Sequence, residues 1–145
     1  MTVKEYLSQV QDFEEAIHDQ KKYIETIREL LTSIGGMGMS PDKVQSSGAD
    51  KDKFANVIAK VIDAEEKLQR MEEKLCFAKI HIAEQIHRMD NLLFKKLLML
   101  RYLEWKQYGT IRKVADELGY SVDHTKRLHR DALCAFGEIL RQLNP

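Results

Sequence analysis

Residues 92–136 read LLFKKLLMLRYLEWKQYGTIRKVADELGYSVDHTKRLHRDALCAF, and three short helical patterns follow one another within them. Leu93 to Trp105 is apolar along one side, at Leu97, Leu98, Leu100 and Tyr102. Ile111 to Leu118 follows Thr110, whose hydroxyl suits an N-cap, and Val122 to about Leu140 follows Ser121, which suits one better. Between the last two patterns sits Leu118-Gly119-Tyr120-Ser121, a connection of the length that a helix-turn-helix demands.

Each position of this pair has a physical task. Ala115 is small where two helices cross closely. Gly119 stands just past a helix end, where left-handed backbone is cheap only without a Cβ. Ile111, Val114, Leu118, Thr125 and Leu128 make the inner face, and Thr125 is its soft spot, since a β-branched apolar residue is more usual there. His124, Lys126, Arg127 and Arg130, with Asp123, point away from that face. Such residues suit a helix lying in a major groove, where Arg reads guanine, Lys and Arg hold phosphates, and the N-terminal amides hold another. An ordinary solvated basic face has the same composition. The position of these residues after Ala115 and Gly119 is what favours the DNA reading.

The rest of the chain is organised by heptads. With a at Val3, Val10, Ile17, Ile24 and Leu31, position d falls at Tyr6, Phe13, Gln20, Ile27 and Ile34, so Gln20 alone breaks the apolar seam. Thr2 is the expected N-cap and Gly35-Gly36 the expected stop. Residues 35–51 hold four of the seven glycines and read as a flexible loop. A second heptad runs from Phe54 to Leu92, broken only at Gln85, and predicts a helix over about residues 52–92. Two such helices joined by a loop fold back most simply as an antiparallel, coiled-coil-like hairpin. Beside the second seam stand Ile58, Ile62, Phe77, Ile80 and Ile86, which a two-helix stripe does not need; the C-terminal domain or a second protomer is expected to cover part of this face, making a homodimer one of the two readings. The expectation is an all-α protein with a helical hairpin over 1–91 and a helix-turn-helix domain over 92–145.

Composition excludes several classes. No apolar run reaches the roughly 18–20 residues of a membrane-spanning helix. The opening MTVKEYLSQV carries no signal-peptide core, which points to the cytoplasm. Cys76 and Cys134 lack a CxxC spacing and read as reduced packing residues. His81, Glu84 and His87 form HxxExxH, but no second ExxH completes a di-metal carboxylate site, so neither metal nor cofactor is expected. With no nucleophile elbow and no nucleotide-binding loop, an enzyme is not expected either.

LRYLEWK followed by TIRKVADELGYSVDHTKRLHRDAL resembles region 4 of bacterial sigma factors, and more closely the small sigma-region-4-like phage proteins, among them the ArpU-like late-gene transcriptional regulators and a neighbouring prophage family. The close resemblance covers about residues 92–143, and VIAKVIDAEEKL after a glycine-rich loop is similar in outline to the neighbouring family. It implies a DNA-binding transcriptional activator of phage genes, with double-stranded DNA as one partner and RNA polymerase as another. Matching by position puts Ser121, His124, Lys126, Arg127 and Arg130 on the DNA side. The longer LEWKQYGTIRK connection and acidic Asp123 depart from the family pattern, so base preference does not carry over. The competing expectation is a phage DNA-packaging or assembly subunit that binds DNA through the same helices and oligomerises through the hairpin. A third is an interaction arm that binds protein alone.

Formal net charge is zero, from 23 basic and 23 acidic residues, which taken whole argues against a nucleic-acid partner. The average conceals a split: residues 1–92 hold 13 basic and 17 acidic side chains, and residues 93–145 hold 10 and 6. The neutral chain is an acidic half joined to a basic one.

Overall fold

The computed structural model describes residues 1–38 and 48–143, and every regular element among them is a helix. In chain order these are α1 (Val3–Leu7), α2 (Gln9–Gly38), α3 (Gly48–His87), α4 (Leu92–Leu98), a π-helical turn (Met99–Leu103), α5 (Trp105–Tyr108), α6 (Ile111–Leu118) and α7 (Val122–Leu143). The protein is all-α over these residues. None of the described helices is long and apolar enough to cross a membrane.

Local chemistry sets the starts. Thr2 and Glu5 form a reciprocal capping box, Glu5 N–H donating to Thr2 Oγ1 at 3.2 Å and Thr2 N–H to Glu5 Oε2 at 2.8 Å. Only Ser8 separates α1 from α2, and its N–H still reaches Lys4 O at 2.8 Å. None of the ten seam positions from Val3 to Ile34 is exposed. The helix does not stop at Gly35-Gly36, as expected, but runs to Gly38. A helical glycine costs only about 1 kcal/mol relative to alanine, which the preceding turns of α2 can carry. Of the expected flexible loop, residues 39–47 lie outside the described residues, while 35–38 and 48–51 are helical.

The second helix also differs from its heptad. It begins at Gly48 and ends at His87, so Met89 and Leu92 lie beyond it. Met89 is nevertheless buried, whereas Leu92 is 76% exposed, because the chain turns at 88–91 before the heptad is complete. Asn91 then caps α4, its side-chain oxygen accepting from Leu93 N–H at 2.9 Å and Phe94 N–H at 3.1 Å. The single helix expected from Leu93 to Trp105 widens at the π turn, closed by Glu104 N–H to Met99 O at 3.0 Å. That turn leaves both Leu100 and Tyr102 buried.

The chain packs as two compact units, one of residues 1–14 with 74–145 and the other of residues 15–73. This division differs from the boundary at 91/92. The reason lies in the first unit's core, where Leu7 and Val10 from the N-terminal residues join Ile82 and Ile86 of α3, Leu97 of α4 and Phe136 of α7. Burying such side chains contributes about 1.5–3 kcal/mol each. In the second unit Ile24 and Ile27 of α2 pack with Ala64, Val61 and Leu68 of α3. Ion pairs flank that core between Lys21 and Glu72 at 3.9 Å and between Arg28 and Glu65. Partner numbers thus fall along α3 as they rise along α2.

Of the extra apolar residues, Ile86 is buried in the first unit's core, Ile58 is half-buried, and Ile62, Phe77 and Ile80 are exposed. The packing role expected for the cysteines is not found. Cys76 and Cys134 are both free and exposed, since each lies on the outer side of its helix, away from Leu75 and Leu133.

Candidate nucleic-acid interface

The site is built on α6, the turn after it and the first turns of α7. Thr110 caps α6, its hydroxyl accepting from Lys113 N–H at 3.3 Å. Val114 and Ala115 put their side chains into the protein, and Ala115 keeps only 1% of its surface. At the far end Gly119 adopts φ 78°, ψ 25°, a left-handed conformation that lets Gly119 N–H and Tyr120 N–H both donate to Ala115 O, at 2.9 and 3.1 Å. No atom lies within 4 Å of where a Cβ would stand, so the backbone angle rather than crowding demands glycine here.

Ser121 restarts the helix. Its Oγ accepts from His124 N–H at 3.1 Å, while its carbonyl accepts from Thr125 N–H at 3.0 Å and from the Thr125 hydroxyl at 2.8 Å. Thr125, read in the sequence as the soft spot of the inner face, is fully buried and its hydroxyl is satisfied within its own helix. Ala132 and Phe136 continue the buried side of α7, with Leu128 partly buried between them and the turn.

All six residues expected at the interface, Ser121, Asp123, His124, Lys126, Arg127 and Arg130, are exposed. Four of them share one face of the helix. Asp123, Lys126, Arg127 and Arg130 follow i, i+3, i+4, i+7 spacing and share a stripe opposite the buried side. His124 stands about 100° around the helix from Asp123 and rests edge-on against Tyr120, with ring centroids 4.9 Å apart. Ser121 spends an acceptor position on its cap, which leaves the hydroxyl proton free to donate. Arg130 Nε lies 4.0 Å from Asp131 Oδ1, a solvated pair that holds the guanidinium weakly.

Behind the stripe, α7 is anchored by a pair of which Tyr102 is buried and His129 half-buried. Tyr102 hydroxyl and His129 Nε2 are 2.8 Å apart. Burial, with Lys4 and Arg101 nearby, pushes the His129 imidazole down to about 4, so it is neutral at pH 7 and accepts from the phenol. Burial likewise raises the Tyr102 phenol, outweighing Arg101.

Three exposed side chains on α6 and its turn lie outside the set expected from sequence. Arg112 and Lys113 in the first turn of α6 are exposed, as is Tyr120 in the turn. The signal for the first two was present, a basic dipeptide directly after the Thr110 cap; Tyr120 becomes notable only through its contact with His124. Among the described residues no group of three His, Cys, Asp or Glu side chains is placed to hold a metal. His81, Glu84 and His87 are each exposed on α3, and His81 lies edge-on to Tyr6.

No protein-family model matches this chain, and no significant match is found to a curated protein or to a solved structure.

Proposed function

We propose that the protein is a non-enzymatic, DNA-binding transcriptional regulator of phage or prophage genes that docks α7 in the major groove of duplex DNA. On this reading α6 and α7 are a helix-turn-helix, α2 and α3 are the arms of an antiparallel hairpin, and RNA polymerase is a second partner. The observation that carries the proposal is the exposed stripe Asp123–Lys126–Arg127–Arg130, held at the start of α7 by a tight left-handed turn at Gly119 and a buried Thr125. Lys126 and Arg127 lie one turn before Arg130 on the same face, so a duplex laid along that face meets three cations. The free N–H groups of the first helical turn add a site for phosphate. Arg112 and Lys113 supply further cations for the backbone.

The test is footprinting and titration of duplex DNA from the region adjoining the gene, across a range of salt. One protected operator and a salt-dependent affinity are expected. Replacing Arg127 and Arg130 together by Ala weakens binding by about 1–3 kcal/mol per lost base contact and lowers the log–log salt slope by about 0.9 per lost phosphate contact. Unchanged affinity and slope in that double variant remove α7 as the docking face. Ring formation with DNA binding that needs no operator identifies a packaging subunit instead.

A further inference from the structure

The two helices of the second unit are closed on one flank and open on the other. On the closed flank Lys21 pairs with Glu72 and Arg28 with Glu65, at a heptad interval. On the open flank Tyr23 of α2 remains 49% exposed beside the α3 lysines Lys60 and Lys67. A groove of about 360 Å³ runs there, lined by Gln20, Tyr23, Lys60, Asp63, Ala64 and Lys67. Its cause is legible in the heptads. Ala64 offers a methyl at a seam position, and Gln20, the polar break in the first seam, donates its amide to Ala64 O at 3.0 Å instead of filling the space. The groove is the hole left by a missing knob.

The same flank carries the knob and the charges that would fill it. Tyr23 is a half-exposed aromatic, and Asp19 lies one turn before it on the same face. Among the described residues neither Asp19 nor Lys60 nor Lys67 has an ion-pair partner within the chain. We infer that this flank is the interface of a homodimer, in which Tyr23 of each copy enters the Gln20–Ala64 groove of the other and Asp19 of each faces Lys60 and Lys67 of the other. Because one patch supplies aromatic, acid, lysines and groove, two copies related by a two-fold axis satisfy each other at once. Asp63, which lines the groove between the two lysines, balances one of them, so the α3 side keeps one net positive charge to meet the Asp19 of the other copy. A lone acidic helix from another protein would leave Asp19 facing like charge. An aromatic anchor in a pocket ringed by charge is the form that interface hot spots take.

Sedimentation equilibrium of the full chain from micromolar to millimolar concentration tests this. A reversible monomer–dimer equilibrium is expected. Tyr23→Ser raises the dissociation constant by roughly tenfold or more, with the helical circular dichroism unchanged because Tyr23 is outside the core. Reversing Lys60 and Lys67 to Glu weakens the dimer similarly, and adding Asp19→Lys to that variant restores it. A chain that stays monomeric throughout overturns the inference, as does a dimer indifferent to Tyr23→Ser or one that the added Asp19→Lys fails to rescue. A dimer lost on Phe77→Ser but kept on Tyr23→Ser assigns the interface to the exposed apolar face of α3 and overturns it too.

Discussion

Tyr102 and His129 stack with ring centroids 5.7 Å apart and share a 2.8 Å hydrogen bond, so the neutral imidazole is fixed beneath the exposed stripe of α7. In an unfolded chain that imidazole takes up a proton near 6.5, but in the folded protein only near 4. The unfolded state therefore binds more protons between those values, and the His129 contribution to stability is complete above 6.5 and shrinks as pH falls toward 4. Thermal melts from about pH 7.5 down to about pH 5 should show a falling midpoint. His129→Gln, which keeps an acceptor for Tyr102 but does not titrate, should flatten that fall; an equal slope in both proteins would dismiss His129 as its source.

Glu14 governs a lower pH window. Its carboxylate meets Lys79 Nζ at 2.8 Å, Lys106 Nζ at 3.6 Å and Trp105 Nε1 at 3.0 Å. Burial by itself would raise its pKa, but Lys79, Lys106 and the Trp105 indole together hold it below the ordinary 4.5. Its contribution is present above 4.5 and is lost as pH falls through the depressed folded value. Glu14→Ala leaves the Trp105 N–H without its acceptor and should cost about 1–3 kcal/mol in denaturant unfolding at neutral pH. Glu14→Gln, which can still accept from the indole, should cost less.

Two glycines should respond to alanine for different reasons. At Gly119 there is room for a Cβ but φ is 78°, so Gly119→Ala should cost about 1–2 kcal/mol, with Gly119→Asn milder. At Gly109 the angle is ordinary, but a Cβ would stand 2.3 Å from Trp105 O, so the backbone of α5 must move. Gly109→Ala should therefore be the more damaging of the two, measured by thermal denaturation. The reverse order would mean that α5 yields easily.

Thr125→Val should change stability by less than about 0.5 kcal/mol. The lost hydroxyl leaves nothing unpaired, because Ser121 O keeps its bond from Thr125 N–H at 3.0 Å. Thr125→Ala removes a buried methyl as well and should cost about 1 kcal/mol more. A large loss in the valine variant would show that the hydroxyl itself holds the turn.

Asp123 is the one acid in the stripe. If α7 enters the groove, Asp123→Asn removes repulsion from phosphates and should tighten binding to random duplex by on the order of 1 kcal/mol. Competition titrations between the operator and random DNA measure whether discrimination falls at the same time, as it should where the carboxylate accepts from a cytosine amine.

Local signals were the most legible part of the sequence. Thr2, Thr110 and Ser121 cap as their side-chain chemistry dictates, and Gly119 takes the left-handed angle its place demanded. The α2 seam holds because periodicity and burial are one fact seen twice. What the sequence hid depends on distant partners. Nothing local marks Leu7, outside the seam, as a core residue of a unit completed by Leu97 and Phe136. Gly35-Gly36 resembles a stop, yet a glycine ends a helix only when its angles leave the helical region. The π turn adds a backbone bond that no side-chain pattern announces, and the exposure of Cys76 and Cys134 follows from which side of a helix finds neighbours. At the candidate interface composition marked the stripe, but the contact of His124 with Tyr120 emerged only with the turn in place.

The first unit takes its core from both sides of a long interruption, Leu7 and Val10 before it and Ile82 to Phe136 after it. During synthesis Leu7 and Val10 leave the ribosome long before Leu97 or Phe136 exists, so this core cannot close co-translationally until α7 emerges. The intervening residues 15–73 have contacts of their own and can form first. By bringing the two flanking stretches together, they would shorten the loop that the later step must close. The order of assembly is then inside-out along the chain, and the surface proposed to bind DNA is completed last.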